Sequence, residues 1–349
     1  FSRKMSDILN HGALNLAMAL GYRNRIFDVL EELGRPATVS EIAGAAGLDA
    51  RYLREWLGVM ATGRVVKLSR NPEGEETYLL PPEHAAFLTR KAGRANLGVY
   101  AQEIPLLASC ALEPVERGFR TGEGVPFSFY PDFQRFMTEL ANAAHRELLV
   151  ERFIPAVDGG RLEERFHRGI RVCDLGCGEG VALNLMAGAF PKSRFTGIDV
   201  DGSAVETGRT EARKMGLGNA EYWVMDAAGI EGMEELSERF DYVCAFDAIH
   251  DQTHPLETLR GVRHMLAPGG MFSMVDIDAG SDHADNLDHP MGPFLYTVSL
   301  MHCMPVGLND DGAGLGMMWG WERAEAMLRE AGFEEIELKE MAHDPFNMH

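Results

Sequence analysis

The sequence predicts an α/β protein with a mostly parallel sheet in its C-terminal half, preceded by a mainly helical winged-helix domain. Three observations carry this. Short apolar runs at residues 171–175, 195–200, 221–225, 242–246 and 271–278 are mostly separated by helical stretches, the rhythm of a parallel sheet covered on both faces. The first run opens into Gly176-Cys177-Gly178-Glu179-Gly180, and a helix follows from near Val181. Residues 38–80 read as helix-turn-helix plus hairpin.

The elements follow in order. Residues 5–20 and 23–33 are patterned as helices, and Gly34 and Pro36 stop the second. Val39, Ile42 and Ala43 pattern the next helix, Gly47 turns the chain and Asp49 caps the following helix. The apolar stripe of that helix is Tyr52, Leu53, Trp56, Leu57 and Met60, and Gly63 ends it. Residues 65–68 and 77–80 alternate as two strands around Asn71-Pro72-Glu73-Gly74. Helical pattern resumes over 85–153, interrupted at Pro105, Pro114 and the loop 122–131. Residues 333–341 add a late strand, and 345–349 begin another. The domain boundary is expected near 159–164, giving domains 1–160 and 161–349.

Composition narrows the function. Of 349 residues, 46% are hydrophobic and 25% charged, as in soluble globular proteins. A net charge of −20, from 33 basic and 53 acidic residues, argues against a binder of phosphate backbones. No apolar run approaches the ~18 residues of a membrane span. The start, Phe1-Ser2-Arg3-Lys4, leads into an amphipathic segment unlike a signal peptide. Five scattered cysteines make no disulfide framework, so a reducing, cytoplasmic setting is expected. Nineteen methionines fit ordinary core filling or a plastic pocket.

The glycine turn is spaced G-x-G-x-G, with Val181 where a dinucleotide fingerprint would place its last glycine. Glycines permit a tight turn and close approach to a ligand, and the next helix offers free N–H groups at its start. The turn is suited to a nucleoside-bearing ligand at a strand's carboxyl end. Carboxylates recur at successive strand ends: Asp174, then Asp199, then Asp226 beside Ala227, then Asp247. Asp199, about 20 residues past the glycines, can accept both ribose hydroxyls; Asp226 can reach an adenine amino group. Each has an alternative reading as a cap or solvated strand end.

Together, Asp174-Leu175-Gly176-Cys177-Gly178, Gly197-Ile198-Asp199, Asp226-Ala227, Phe240-Asp241-Tyr242-Val243 and Pro268-Gly269-Gly270 resemble class I S-adenosylmethionine-dependent methyltransferases over residues 165–345. The resemblance implies a Rossmann-like sheet, S-adenosylmethionine as cofactor and S-adenosylhomocysteine as product. It places Gly176 and Gly178 against the methionine part, Asp199 on the ribose, and Asp226 and Ala227 beside the adenine. Cys177 is read as structural, and Gly180 fits the pattern less uniformly.

The segment after the fourth strand, Asp247-Ala248-Ile249-His250-Asp251-Gln252-Thr253-His254, faces the reactive end. Methyl transfer is an in-line displacement that needs alignment and, for a hydroxyl or thiol acceptor, a base. A histidine suits that task near neutral pH, and an acidic neighbour can orient it. A winged-helix domain before a class I domain resembles the two-domain small-molecule O-methyltransferases of the plant phenylpropanoid and acetylserotonin type. There a His-Asp pair follows strand four and the histidine is the base, which implies His250 and Asp251 as catalytic residues. Gln252 stands where that family usually has tryptophan. The segment also resembles uncharacterised bacterial methyltransferases with a winged helix. His250 is alternatively a capping or packing histidine. His250 and His254 are four apart, but Pro255 follows and no third ligand is evident, so no metal is expected.

Substrate candidates are Tyr130, His289, Tyr296, Ser299 and His302, which lie at the end of the loop 122–131 or in and after the polar loop 282–290. The alternative for these is lid scaffolding. Arg51, Arg54 and Arg64 raise a second class, a winged-helix transcription regulator, which Glu41, Asp49, Glu55 and the acidic chain oppose. A third is a catalytically inactive cofactor-binding scaffold. The expectation is a homodimeric, cytoplasmic methyltransferase of a small-molecule hydroxyl or thiol, with no nucleic-acid or membrane partner.

Overall fold

Two caps set where the N-terminal helices begin. Thr38 and Glu41 form a reciprocal capping box, the Glu41 carboxylate accepting the Thr38 N–H at 2.7 Å. Asp49 accepts the N–H groups of Arg51 and Tyr52. The computed structural model describes residues 1–342 and 344–349, the side chains of 94, 134, 345 and 346 excepted. It divides into two compact units, Phe1–Ser109 and Cys110–His349.

The first unit runs α1 (Ser2–Arg23), α2 (Ile26–Leu33), α3 (Val39–Ala46), α4 (Ala50–Thr62), β1 (Lys67–Arg70), β2 (Glu76–Leu79) and α5 (Pro82–Leu88). The winged helix is therefore formed where expected, with antiparallel β1 and β2 as its wing. Gly34 and Gly47 end α2 and α3 in the left-handed conformation. Leu53, Trp56, Leu57 and Met60 of α4 pack with Phe27, Leu30 and Ile42, and the Trp56 indole donates to the Ala17 carbonyl at 2.7 Å. Tyr52 does not join them. It is 83% exposed, because 100° per residue carries it beyond the edge of the buried stripe.

Helix α6 (Glu103–Thr121) begins in the first unit and runs into the second. The expected breaks at Pro105 and Pro114 do not occur. Pro105 lies in the first turn, where its missing N–H costs nothing. Pro114 forfeits one helical bond, but Leu107, Ala111 and Val115 are buried around it and hold the helix together.

The second unit continues with α7 (Pro131–Leu148), a π-helical turn Leu149–Phe153, α8 (Ile154–Ala156) and α9 (Arg161–Arg168). Then come β3 (Arg171–Leu175), α10 (Val181–Ala189), β4 (Arg194–Asp199), α11 (Gly202–Lys214), β5 (Ala220–Val224), β6 (Phe240–Phe246), α12 (Pro255–Met265) and β7 (Leu266–Ile277). The chain finishes with α13 (Gly292–Val298), a π-helical turn Ser299–Cys303, α14 (Met304–Gly307), α15 (Trp321–Glu330), β8 (Glu340–Met341) and β9 (Asp344–Met348). Residues 110–160, read from sequence with the N-terminal domain, fall by packing in this unit. Leu149, Phe153, Ile154 and Val157 share a core with Phe166 and Val172.

The sheet order is β5-β4-β3-β6-β7-β9-β8. Strands β3 to β7 pair in parallel, and β9 is antiparallel to both β7 and β8. Side chains alternate between two cores: Val172, Tyr242 and Cys244 enter one, and Cys173, Leu175, Val243 and Ala245 the other. Opposite Phe240–Tyr242, β7 bulges through Ala267-Pro268-Gly269-Gly270 before the register resumes at Met271. The late strand expected over 333–341 shrinks to Glu340–Met341. Phe333 and Ile336 pack into the core three residues apart, a spacing that breaks strand alternation. Chain order reverses between β3 and β6, which opens a crevice above their carboxyl ends.

Candidate active site

The glycine turn forms one wall of that crevice. Gly176 (φ 71°) and Gly178 (φ 51°) both lie in the left-handed region, where a side chain is strained. At Gly176 a Cβ would stand 2.6 Å from the Ala248 Cβ, so the loop after β6 packs directly on the turn. At Gly178 a Cβ would meet nothing within 4 Å, leaving open space beside the backbone. Gly180 serves packing instead: a Cβ there would strike the Tyr222 hydroxyl at 2.2 Å.

Asp199, at the end of β4, accepts the Gly178 N–H at 2.8 Å and the Asp201 N–H at 2.9 Å. Its carboxylate thus braces the turn, and each oxygen keeps a lone pair for a further donor. Desolvation raises its pKa against the lowering effect of those bonds. Asp174 is buried at the base of the turn. Its Oδ1 is approached by the Cys244 thiol at 3.9 Å, and its Oδ2 is buried without a partner. Burial, then the Asp199 charge, pushes its pKa up to about 7. Asp226 is exposed and caps the short 3-10 turn that follows, accepting the Ala228 N–H at 3.0 Å, with Ala227 buried beside it. Asp247 follows β6 with φ 49° and donates its N–H to Val275. Desolvation and then Asp276 raise its carboxyl, although its exposure in the crevice tempers the first of these.

Among the described residues, none of Asp174, Asp199, Asp226, Asp247, Asp251 and Asp276 is ion-paired with a lysine or arginine. An acidic crevice with an orphaned buried carboxylate oxygen suits a cationic ligand. The residues present therefore fit S-adenosylmethionine, which carries a sulfonium and an ammonium.

His250 is the buried centre of the reactive end, 3% exposed. Its Nδ1 lies 2.7 Å from Asp276 Oδ1 and its Nε2 3.5 Å from Asp251 Oδ1. Burial opposes the imidazolium, but Asp276 and Asp251 outweigh it and raise the His250 pKa well above the usual range. Asp276, at the end of β7, was missed from sequence. The strand-end rule that selected Asp174, Asp199 and Asp247 points into this stretch, but with the strand read as 271–278 it falls on Asp278, two residues on. Asp251, expected to orient or tune the ring, flanks its far nitrogen, where its charge raises the His250 pKa.

The substrate candidates divide. Tyr130 is wholly buried and donates its hydroxyl to the Met301 carbonyl at 2.8 Å. His302 packs among Tyr130, Phe133 and Phe127, with ring centroids 4.7, 4.6 and 6.3 Å away. Burial lowers its pKa, and its Nε2 has no partner. Ser299 is buried against Gly316, where a Cβ would meet its hydroxyl oxygen at 2.3 Å. Tyr296 and His289 fasten the polar loop: Asn286 donates to the Tyr296 hydroxyl, and His289 accepts the Met291 N–H while its Nε2 faces the Asp278 carbonyl. His254 is the N-cap residue of α12.

A family profile described as a methyltransferase domain matches residues 166–332, the sheet and crevice just described. An Rv2258c-like winged HTH domain profile matches residues 12–90. The chain is a class I S-adenosylmethionine-dependent methyltransferase with an N-terminal winged-helix domain. A ubiquinone biosynthesis O-methyltransferase of Ruegeria pomeroyi is 26% identical to this methyltransferase over 190 residues, 53% of this chain and 68% of that protein. Three further curated relatives match over less than half of their own length. Among solved structures, a candidate O-methyltransferase of Nostoc punctiforme matches the whole methyltransferase fold, with TM-score 0.72 and 16% identity, covering 100% of this chain and 98% of that one. Human N-acetylserotonin methyltransferase, solved with S-adenosylmethionine, gives a TM-score of 0.68 at 15% identity, covering 99% of this chain and 96% of that one. No helix among the described residues is long and apolar enough to cross a membrane.

Proposed function

We propose that this methyltransferase methylates a hydroxyl or thiol of a small molecule, with His250 as the base. The observation that carries the reading is His250 itself. It stands in the loop that packs on the glycine turn, and a buried carboxylate 2.7 Å from Nδ1 fixes its orientation. With Nδ1–H donated to Asp276, the neutral ring presents its lone pair at Nε2.

When bound, S-adenosylmethionine supplies an electrophilic methyl group on a good leaving group. Gly176 and Gly178 leave room for it, Asp174 offers its free Oδ2 to a cationic donor, and Asp199 offers its spare lone pairs to ribose hydroxyls. Asp226, Ala227 and Asp247 complete the cofactor set. His250 Nε2 takes the acceptor's proton as the acceptor oxygen or sulfur becomes nucleophilic. Asp276 stabilises the resulting imidazolium, and Asp251 adds negative charge on the Nε2 side. Tyr130, Ser299 and His302 shape the acceptor side through the packed cluster around His302, with Tyr296 and His289 supporting its loop.

The base works only when neutral, and the two carboxylates hold its proton above the ordinary histidine range. The kcat/KM is therefore expected to rise with pH through a pKa above ~6.5. In Asp276→Asn, which removes one charge, that limb should move to lower pH while kcat falls. An unmoved limb would remove Asp276 from this role.

A homodimer is part of the proposal. Met5, Ile8, Leu9, Leu16 and Leu20 of α1 are 38–69% exposed, and all fall within roughly 120° of its circumference. A second copy presenting the same stripe would cover it by two-fold symmetry. Leu9→Glu with Leu16→Glu should convert a dimer to a monomer in light scattering coupled to size exclusion; an unchanged mass would place the contact elsewhere. The regulator reading is not favoured, since Arg51 is engaged by Glu55 on the exposed side of α4. Among the described residues no cysteine forms a disulfide, which supports a cytoplasmic setting.

A further inference from the structure

The thiol of Cys303 closes a cluster that methyl transfer does not need. The π-helical turn Ser299–Cys303 carries it to the same place as the loop after β6. One ligand atom from each of His250, Asp251 and Cys303 lies within 4.8 Å of the others. We propose that these three side chains form a binding site for a thiophilic divalent cation such as zinc(II).

Four features point this way. The ligands are an imidazole, a carboxylate and a sulfur, a set that zinc takes in tetrahedral sites with one position left open. Bond lengths to zinc of ~2.0–2.3 Å put neighbouring ligand atoms roughly 3.3–3.7 Å apart. The His250 Nε2 to Asp251 Oδ1 distance is already 3.5 Å, so only the sulfur must close in. Asp251 Oδ1 is buried without a hydrogen-bond partner, which leaves its lone pairs available. Asp276 grips the opposite nitrogen at 2.7 Å, the carboxylate–histidine arrangement that holds a ligating ring in place.

Access is from the Asp251 side, whose side chain is 29% exposed while that of His250 is 4% exposed. Binding expels the Cys303 proton, and the Nε2 proton of His250 where the ring is protonated, to solvent, leaving a thiolate and a neutral imidazole as ligands. The cation then occupies the Nε2 lone pair assigned above to the base. Zinc is thus expected to inhibit methyl transfer and a chelator to restore it. The site itself stands on geometry, independently of that reading.

Cobalt(II) is the probe, titrated into the full metal-free chain and followed by sulfur-to-cobalt charge-transfer absorption. The expected result is one cobalt per chain, displaced by zinc, with the band lost in Cys303→Ser. Asp276→Asn should weaken affinity ~10–100-fold. Absence of the band, or its persistence in Cys303→Ser through one of the other four thiols, would overturn the proposal. If Cys303→Ser fails to fold by circular dichroism, Asp251→Asn decides: undiminished cobalt affinity there would likewise overturn it. Because absorption is read without turnover, failure of His250 as a base leaves this outcome unaffected.

Discussion

His250→Ala is expected to lower kcat by ~10²–10⁴-fold, the usual contribution of a positioned base, while S-adenosylmethionine binds as in the wild type. The two effects are expected to separate because the glycine turn and Asp199, proposed to hold the cofactor, are braced by their own hydrogen bond, Gly178 N–H to Asp199 Oδ2 at 2.8 Å. His250 contacts Asp276 and Asp251 instead. Removing the ring leaves two carboxylates facing a small cavity, so Asp276→Asn with His250→Ala is the fitting control for charge repulsion. Stopped-flow binding and single-turnover transfer measured on the same preparation distinguish a lost base from a collapsed site. Unchanged turnover in His250→Ala would remove His250 from the mechanism.

Asp199→Ala is expected to weaken S-adenosylmethionine binding by ~1.5–3 kcal/mol, through lost charge-assisted hydrogen bonds, or roughly 10- to 150-fold in Kd. Two losses combine here. The ribose would lose its acceptor, and the Gly178 and Asp201 N–H groups would lose theirs. Asp199→Asn separates them, since an amide oxygen can still accept one backbone N–H but carries no charge. Calorimetry on the three proteins is the check. A Kd unchanged in Asp199→Ala would place the ribose elsewhere.

What the sequence made legible was local. Gly34, Gly47, Thr38 and Asp49 act through bonds to their own neighbours, so the winged helix could be read nearly residue by residue. The Gly176–Gly180 turn and the strand-end carboxylates were legible for the same reason: the parallel sheet places every strand end at one edge. Less local features escaped. Asp276 meets His250 across 26 residues, and their approach depends on the β6–β7 register, which includes the bulge at Pro268-Gly269-Gly270. Cys303 reaches the same histidine only through a π-helical turn. Pro114 reads as a helix breaker, yet buried neighbours on both sides carry the helix past it. Tyr296 and His289 are polar side chains in a polar loop, and only the fold reveals that their hydrogen bonds are already committed to Asn286, Asp278 and Met291.

The most direct measurement is transfer of labelled methyl from S-adenosylmethionine, using purified wild type and His250→Ala with a fractionated cell extract. The expected result is label in the small-molecule fraction with the wild type, and its loss to near background with the variant. Label in protein or nucleic acid, or none anywhere while S-adenosylmethionine binds, would contradict a small-molecule methyltransferase that uses this crevice.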